Sequence, residues 1–386
     1  MTTVRTIAAQ HLKPRRRRMR LSAYLLPLFI SLALVHFGMI SNKLLFMRSP
    51  NVARIDNMDA SSKRRMLAGI DMLREEIDQN TTMGWHTYCE TIQKPTISNS
   101  TSAYEWTDKK LVKDKIHQLD PTIRFAKEFT SVGYQREITD DLLSKFPKEG
   151  YMMKATHVSG GIILVRDGIP KCISKVTSIG VRQVTCPELK EGETTAHFLR
   201  RACKTFLRAQ YGADKGELWY LKLKPRCMFE EVLNIKPTSN LRDFKFHFMN
   251  GEPVLVQVDA TKTPANQLMY ATHGSFTLIP SFQDIEAKEN GMYTLPTAED
   301  LGPKPKIYDK LTLDAMTIAK AVNQPYVRVD FFVYDDDNYA FAEVTFAHDS
   351  CKRGEGNFRP LKYERYLGFV QTHPEYRYHH EDILLL

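Results

Sequence analysis

Three stretches of this 386-residue chain carry side chains whose type and spacing can do chemistry. The first, Gly150 to Val165, places Lys154 on a strand, follows it with Ser159, Gly160 and Gly161, and starts a second strand at Ile162. Glycines in such a turn let backbone amides approach a phosphate, and the lysine supplies the counter-charge. The lysine precedes the glycines and no helix follows, so this is not the G-x-x-x-x-G-K-[ST] phosphate loop. An ordinary turn between two strands reads the same way.

The second stretch, Asp243 to Val258, is a hairpin turning at Asn250-Gly251. Pairing outward from that turn sets Phe244, Phe246 and Phe248 on one face with Pro253 and Leu255. Asp243, Lys245 and His247 share the other face with Val254, Val256 and Val258. Lys245 is then either an exposed ammonium on a buried stem or a cation placed to meet an anion. The third stretch, Val327 to Phe346, is two strands around an acidic turn. Centring the turn on Asp336-Asp337 puts Asp330 opposite Glu343 and Arg328 opposite Thr345, all on one face. Directly opposed carboxylates stand about 4.5–5.5 Å apart at Cβ and repel, so they need a cation between them. Magnesium shared with substrate phosphates meets that need, and Arg328 beside it could stabilise a developing oxyanion. A solvated hairpin with an Arg–Asp pair is the alternative.

Taken in order, Thr107–Lys113, Lys154–Gly161, Lys224–Glu231, Asp243–Phe246, Arg328–Asp330 and Ala342–Phe346 resemble the TupA-like branch of the ATP-grasp proteins. That branch is named for teichuronopeptide biosynthesis and associated with cell-surface polymers. The resemblance implies an α+β ATP-grasp fold, two subdomains gripping ATP, with ATP and Mg2+ as cofactors. It implies that Lys109 and Lys154 hold the phosphates under a loop of Ser159, Gly160 and Gly161. Glu230, Glu231 and Leu233 of the hinge strand would meet adenine and ribose. Lys245 would touch the terminal phosphate, Asp330 and Glu343 would bind magnesium, and Arg328 would stabilise the transition state. The implied chemistry is activation of a carboxylate as an acyl-phosphate for attack by an amine of a small-molecule, glycan or peptide acceptor. Thr345 stands where many such enzymes have an asparagine on a second metal, which leaves one magnesium better supplied than two. Ala347 to Gly354 lacks the expected Pro-Gly turn, which bears on acceptor handling.

The elements that must position these groups alternate in type. A charged helix is expected around Asp108–Leu119, a strand at Tyr151–Ala155 and a helix around Thr195–Gln210. Mixed helices and hairpins indicate an α+β class. The ATP-grasp domain is expected over 104–386, behind a basic leader (1–20), a membrane anchor (21–42) and a stem (43–103).

The formal charge of +9 comes largely from that leader, where seven basic residues precede Arg20 inclusive and no acid occurs before Asp56. A basic leader is not a basic face, so no nucleic-acid partner is expected. Leu21 to Asn42 is uncharged and long enough to span a bilayer. The positive-inside rule leaves the N-terminus cytosolic, which makes a type II membrane protein with its domain in an ER or Golgi lumen, where ATP must be imported. A mitochondrial presequence is the rival reading. Met66, Ile70, Leu73 and Ile77 make one amphipathic helix, open to self-association or to packing on the domain. Asn80-Thr-Thr82 and Asn99-Ser-Thr101 are glycosylation sequons. Six widely spaced cysteines exclude a zinc ribbon and fit either disulfides or isolated buried thiols. A phosphoryl transferase and a non-catalytic nucleotide-binding membrane scaffold compete with the ligase reading.

Overall fold

The computed structural model describes residues 84–174, 187–233, 241–260, 267–279, 297–334, 338–347, 351 and 361–372. The expected anchor, the helix at 66–77 and Asn80 lie outside them. Among the described residues no helix is long and apolar enough to cross a membrane.

Burial alternates through β2 (Tyr151–Ala155), where Tyr151, Met153 and Ala155 are buried and Met152 and Lys154 are half-buried. This period of two gives a strand one core face and one polar face. Around β2 lie β1 (Glu128–Val132), β3 (Ile162–Arg166), β4 (Ile169–Ser174) and β5 (Cys227–Glu231), antiparallel in the order β1-β5-β2-β3-β4. Helix α2 (Thr195–Leu207) covers the apolar face with Phe198, Leu199, Ala202, Cys203 and Phe206. The Thr194 hydroxyl accepts from the His197 N–H at 3.3 Å and starts that helix.

The second sheet runs β10-β9-β6-β7-β8, from β6 (Arg242–Met249), β7 (Glu252–Ala260), β8 (Gln267–Ala271), β9 (Tyr326–Tyr334) and β10 (Asn338–Thr345). Phe244, Phe246 and Phe248 are fully buried with Val329, Phe331 and Tyr308 of α3 (Tyr308–Val322). Helix α4 (Leu361–Thr372) adds Leu367 and Phe369 to the same core. The two sheets therefore have separate cores. They meet where Phe341 donates to the Arg124 carbonyl at 2.7 Å, just before β1.

Both hairpins differ from simple outward pairing. In β6–β7, Phe248 faces Pro253 but His247 faces Leu255, because Val254 is an extra, bulged residue. Lys245 thus lies opposite Gln257, not over valines, and Phe246 opposite Val256. Proline has no N–H for the ladder, and bulges are where sheets tolerate it. In β9–β10, Asn338 pairs with Tyr334, one residue off the expected turn. A bulge between Phe341 and Glu343 cancels that offset and restores Asp330 opposite Glu343 and Arg328 opposite Thr345.

Folded structure starts before Tyr104. Trp85, Tyr88, Cys89, Ile97 and Ala103 belong to the second sheet's core, so the end of the expected stem packs as part of the domain. Cys89 is bonded to Cys351 and Cys203 to Cys227, Cys172 is also disulfide-bonded, and no described cysteine is free. Of the two readings of the cysteines, the structure takes the disulfides. The sequence separations are 262 and 24. In the chain-entropy treatment these are worth about 5.5 and about 3.5 kcal/mol. Replacing Cys89 and Cys351 together by serine should therefore cost more stability in denaturant titration than replacing Cys203 and Cys227. Alkylation of Cys89 or Cys351 in unfolded, unreduced protein would contradict the pairing.

Candidate functional site

Helix α1 (Leu111–Leu119) ends where the expected charged helix does but begins three residues after Asp108, whose carboxylate fixes its start. Asp108 accepts from the N–H groups of Lys110 at 2.8 Å and Leu111 at 2.9 Å. Lys109 is thereby placed against the loop after β2: its N–H donates to the Thr156 carbonyl at 3.1 Å and its Nζ to the Val158 carbonyl at 2.5 Å. Its ammonium lies between the two sheets' polar faces. Desolvation lowers its pKa, opposed by Glu343 of the second sheet and reinforced by Lys154 of the first.

Lys113 donates to the Ala126 carbonyl at 2.8 Å and to Glu230 Oε2 at 2.7 Å. Lys154 pairs with the other oxygen of Glu230, which is 1% exposed. Burial pushes this carboxyl up, and Lys154 and Lys113 pull it below the usual range. The Glu230 side chain is thus the counter-charge that orients two lysines. Glu231 accepts from the Lys127 N–H at 2.9 Å, and Leu233 is half-buried. Gly160 and Gly161 have φ of 77° and 66°, a conformation that other residues rarely adopt, and Ser159 is exposed beside them. His157, 3% exposed, has its pKa lowered to about 4 by desolvation and by Lys109, which keeps it neutral.

On the second sheet, Arg328 is the cation between the opposed carboxylates. It donates to Asp330 Oδ1 at 2.8 Å and Oδ2 at 2.6 Å, to Glu343 Oε1 at 3.2 Å and to Thr345 at 3.2 Å. The Arg–Asp pair weighed from the sequence is present, but buried rather than solvated. Burial pushes Asp330 up to about 7 despite Arg328 and Lys245, with Glu343 adding to the push. Desolvation raises Glu343 too, although its side chain is 46% exposed, yet Arg328, Lys109 and Lys245 bring it below its ordinary value. Lys245 lies opposite Asp330 in register and bonds Asp243 and, at 2.6 Å, Asp259.

The structure therefore brings Lys109, Lys154 and Glu230 together on one side, and Arg328, Asp330, Glu343 and Lys245 on the other. Sequence reasoning missed Lys113, Asp259 and Gln257. Lys113 follows Lys109 by one helical turn, a readable signal. Asp259 and Gln257 reach Lys245 only through the Val254 bulge. Among the described residues no three His, Cys, Asp or Glu groups could hold a metal ion. Asp330 and Glu343 supply two carboxylates, which fits a magnesium whose other ligands are phosphate oxygens and water. For that, Arg328 has to yield part of its place.

The fold, two antiparallel sheets with helices, is that of an ATP-grasp protein. A model of the TupA-like ATPgrasp family matches residues 90–370, and the chain belongs to that family. Similar solved structures include the ATP-grasp ligase PsnB complexed with minimal precursor, Mg and ADP, at 12% identity and a TM-score of 0.30 over 71% of this chain and 61% of that one. Another is D-alanyl-alanine synthetase A from Vibrio cholerae, at 11% identity and a TM-score of 0.36 over 72% and 65%. A third, D-alanine–D-alanine ligase from Bacillus anthracis complexed with ATP, has 12% identity and a TM-score of 0.34 over 70% and 67%. The chain thus spans about three-fifths of the length of PsnB. No curated protein matches it.

The bidentate pair predicts a split between two variants. Asp330→Asn should destabilise the protein by ~3 kcal/mol, because one partner of a buried ion pair is lost. Glu343→Gln, whose side chain is 46% exposed, should cost no more than about 1 kcal/mol. Equal losses in denaturant titration would show that Arg328 depends on both carboxylates alike.

Proposed function

We propose that this protein is an ATP- and Mg2+-dependent ligase that activates a carboxylate as an acyl-phosphate for transfer to an amine, in the synthesis of a surface polysaccharide or glycoconjugate. One observation carries the reading. The first sheet, the turn before α1 and α1 itself present Lys154, Lys109 and Lys113 around one buried glutamate, while the second sheet presents Asp243, Asp259, Asp330 and Glu343 against Lys245 and Arg328. An excess of positive charge facing an excess of negative charge suits a polyphosphate on one side and its metal on the other.

In this reading Lys109 and Lys154 bind the phosphates, and Ser159, Gly160 and Gly161 close over them. Glu230 orients Lys154, and the backbone from Glu231 to Leu233 borders the adenine and ribose. Asp330 and Glu343 hold Mg2+, which neutralises phosphate charge when bound. Lys245 contacts the terminal phosphate and Arg328 stabilises charge on the transferring group. The family's ATP-grasp character favours a ligase over a phosphoryl transferase, and product analysis separates them: only a ligase forms an amide.

Lys154→Ala should weaken ATP binding about ten- to a hundred-fold, the loss of one charged phosphate contact. The fold should persist because Glu230 keeps Lys113. A change within about twofold by calorimetry would return Lys154 to a structural role.

The lumenal, membrane-anchored placement belongs to the same proposal. Disulfides persist in oxidising compartments, and Asn99 is exposed at the end of the helix Lys94–Asn99. In a eukaryotic host the full chain should resist carbonate extraction and shift in mobility on deglycosylation, with the shift lost in Asn80→Gln/Asn99→Gln. Release by carbonate, or absence of glycan, would favour a cytosolic or mitochondrial protein.

A further inference from the structure

One group of side chains beside the candidate metal carboxylates is left with unused acceptors. Asp243 and Asp259 oppose each other across β6 and β7, and Lys245 Nζ bonds Oδ2 of each. Gln257, 2% exposed, donates its Nε2 to Asp259 Oδ1 at 2.8 Å. Two oxygens then remain: Asp243 Oδ1 and Gln257 Oε1 are buried and find no donor among the described residues. A buried acceptor without a donor is costly, so such groups normally have a partner. The arrangement has a way in, since the side chains of Asp243 and Asp259 are 23% and 27% exposed.

The missing partner must be a donor, and the charge says which kind. Two carboxylates against one ammonium leave a negative excess, which a neutral hydroxyl does not offset. A hydroxyl also has one hydrogen to give, whereas a primary ammonium has three and no acceptor lone pair to repel the oxygens. A magnesium ion gathers several oxygens at once, whereas Oδ2 of both carboxylates is already taken by Lys245 and Oδ1 of Asp259 by Gln257. The position also fits. β6 and β7 are the first and second neighbours of β9, so the group lies roughly 5–10 Å, one to two strand spacings, from Asp330.

We propose that Asp243, Gln257 and Asp259 form the subsite that binds a primary amine of the acceptor, with Lys245 holding the two carboxylates in place. This rests on the ligase reading: the amine is held as its ammonium, and it becomes the nucleophile when it gives one proton to the Asp243 carboxylate. The full chain, purified, would be titrated with ethanolamine, with choline, which carries the charge but no N–H, and with ethylene glycol, which carries neither, each at matched ionic strength. Thermal melting is the readout, and Mg·ATP a separate titrant. Ethanolamine should raise the melting temperature saturably and the other two should not. In Asp243→Asn and Gln257→Leu the apparent ethanolamine affinity should fall about tenfold, the loss of one charge-assisted hydrogen bond, and in Gln257→Leu the Mg·ATP shift is retained. Equal responses to ethanolamine and choline, or variants that respond like the parent, would overturn the proposal. So would a parent protein that responds to Mg·ATP but not to ethanolamine. Because the three-compound comparison is made on the unaltered protein, a variant that fails to fold does not remove the test. An ethanolamine response without a Mg·ATP response would support the amine subsite and remove the nucleotide reading instead.

Discussion

Four carboxylates on one face of a β-sheet cannot stand together unless cations are built in with them, and that requirement organises the second half of this molecule. Opposed carboxylates on neighbouring strands repel. The sheet answers twice, with Arg328 bridging Asp330 and Glu343 and Lys245 bridging Asp243 and Asp259. Both cations come from positions that strand alternation places on the same face as the acids they neutralise. The opposite face is then free to be apolar, and phenylalanine at every second residue of β6, Phe244, Phe246 and Phe248, is buried there. Polar and apolar faces are thus two consequences of one alternation.

The first half solves the complementary problem. Three lysines gather around Glu230, a carboxylate almost without solvent access, and two of them bond it directly. A buried carboxylate between two ammonium groups is stable only while both stay in place, so it holds Lys154 and Lys113 at fixed positions on a strand and on a helix. Lys109 is tied separately, to carbonyls of the loop that leads into Gly160 and Gly161. A displacement of that loop is therefore coupled to the position of a charge that also feels Glu343 on the other sheet.

Each half has its own core and its own covalent link. Cys203–Cys227 joins α2 to β5 within the first core, and Cys89–Cys351 joins the leading helices to the segment after β10 in the second. These two links brace the walls on which the charges are mounted. They do not tie one sheet to the other. The contacts between the sheets are of a softer kind, such as the backbone bond from Phe341 to Arg124.

The sequence by itself determined which side chains share a face, because alternation along a strand and the helical repeat are local properties. It put Lys154 before a glycine turn, Lys245 on the polar side of β6, and Arg328 with Asp330 and Glu343. The family's motifs, read in order, placed these within one fold. Neighbours across strands were a different matter. Asp330 faces Glu343 because a shifted turn and a bulge cancel, and Lys245 meets Gln257 and Asp259 because Val254 bulges out of β7. Glu230 proved to be a counter-charge for two lysines only when α1 and β2 were seen to converge on it. The disulfides, one spanning 262 positions, also belong to this second class. Faces are fixed by the repeat of the chain, but register and long-range pairing are fixed by packing between distant segments, which no local spacing encodes.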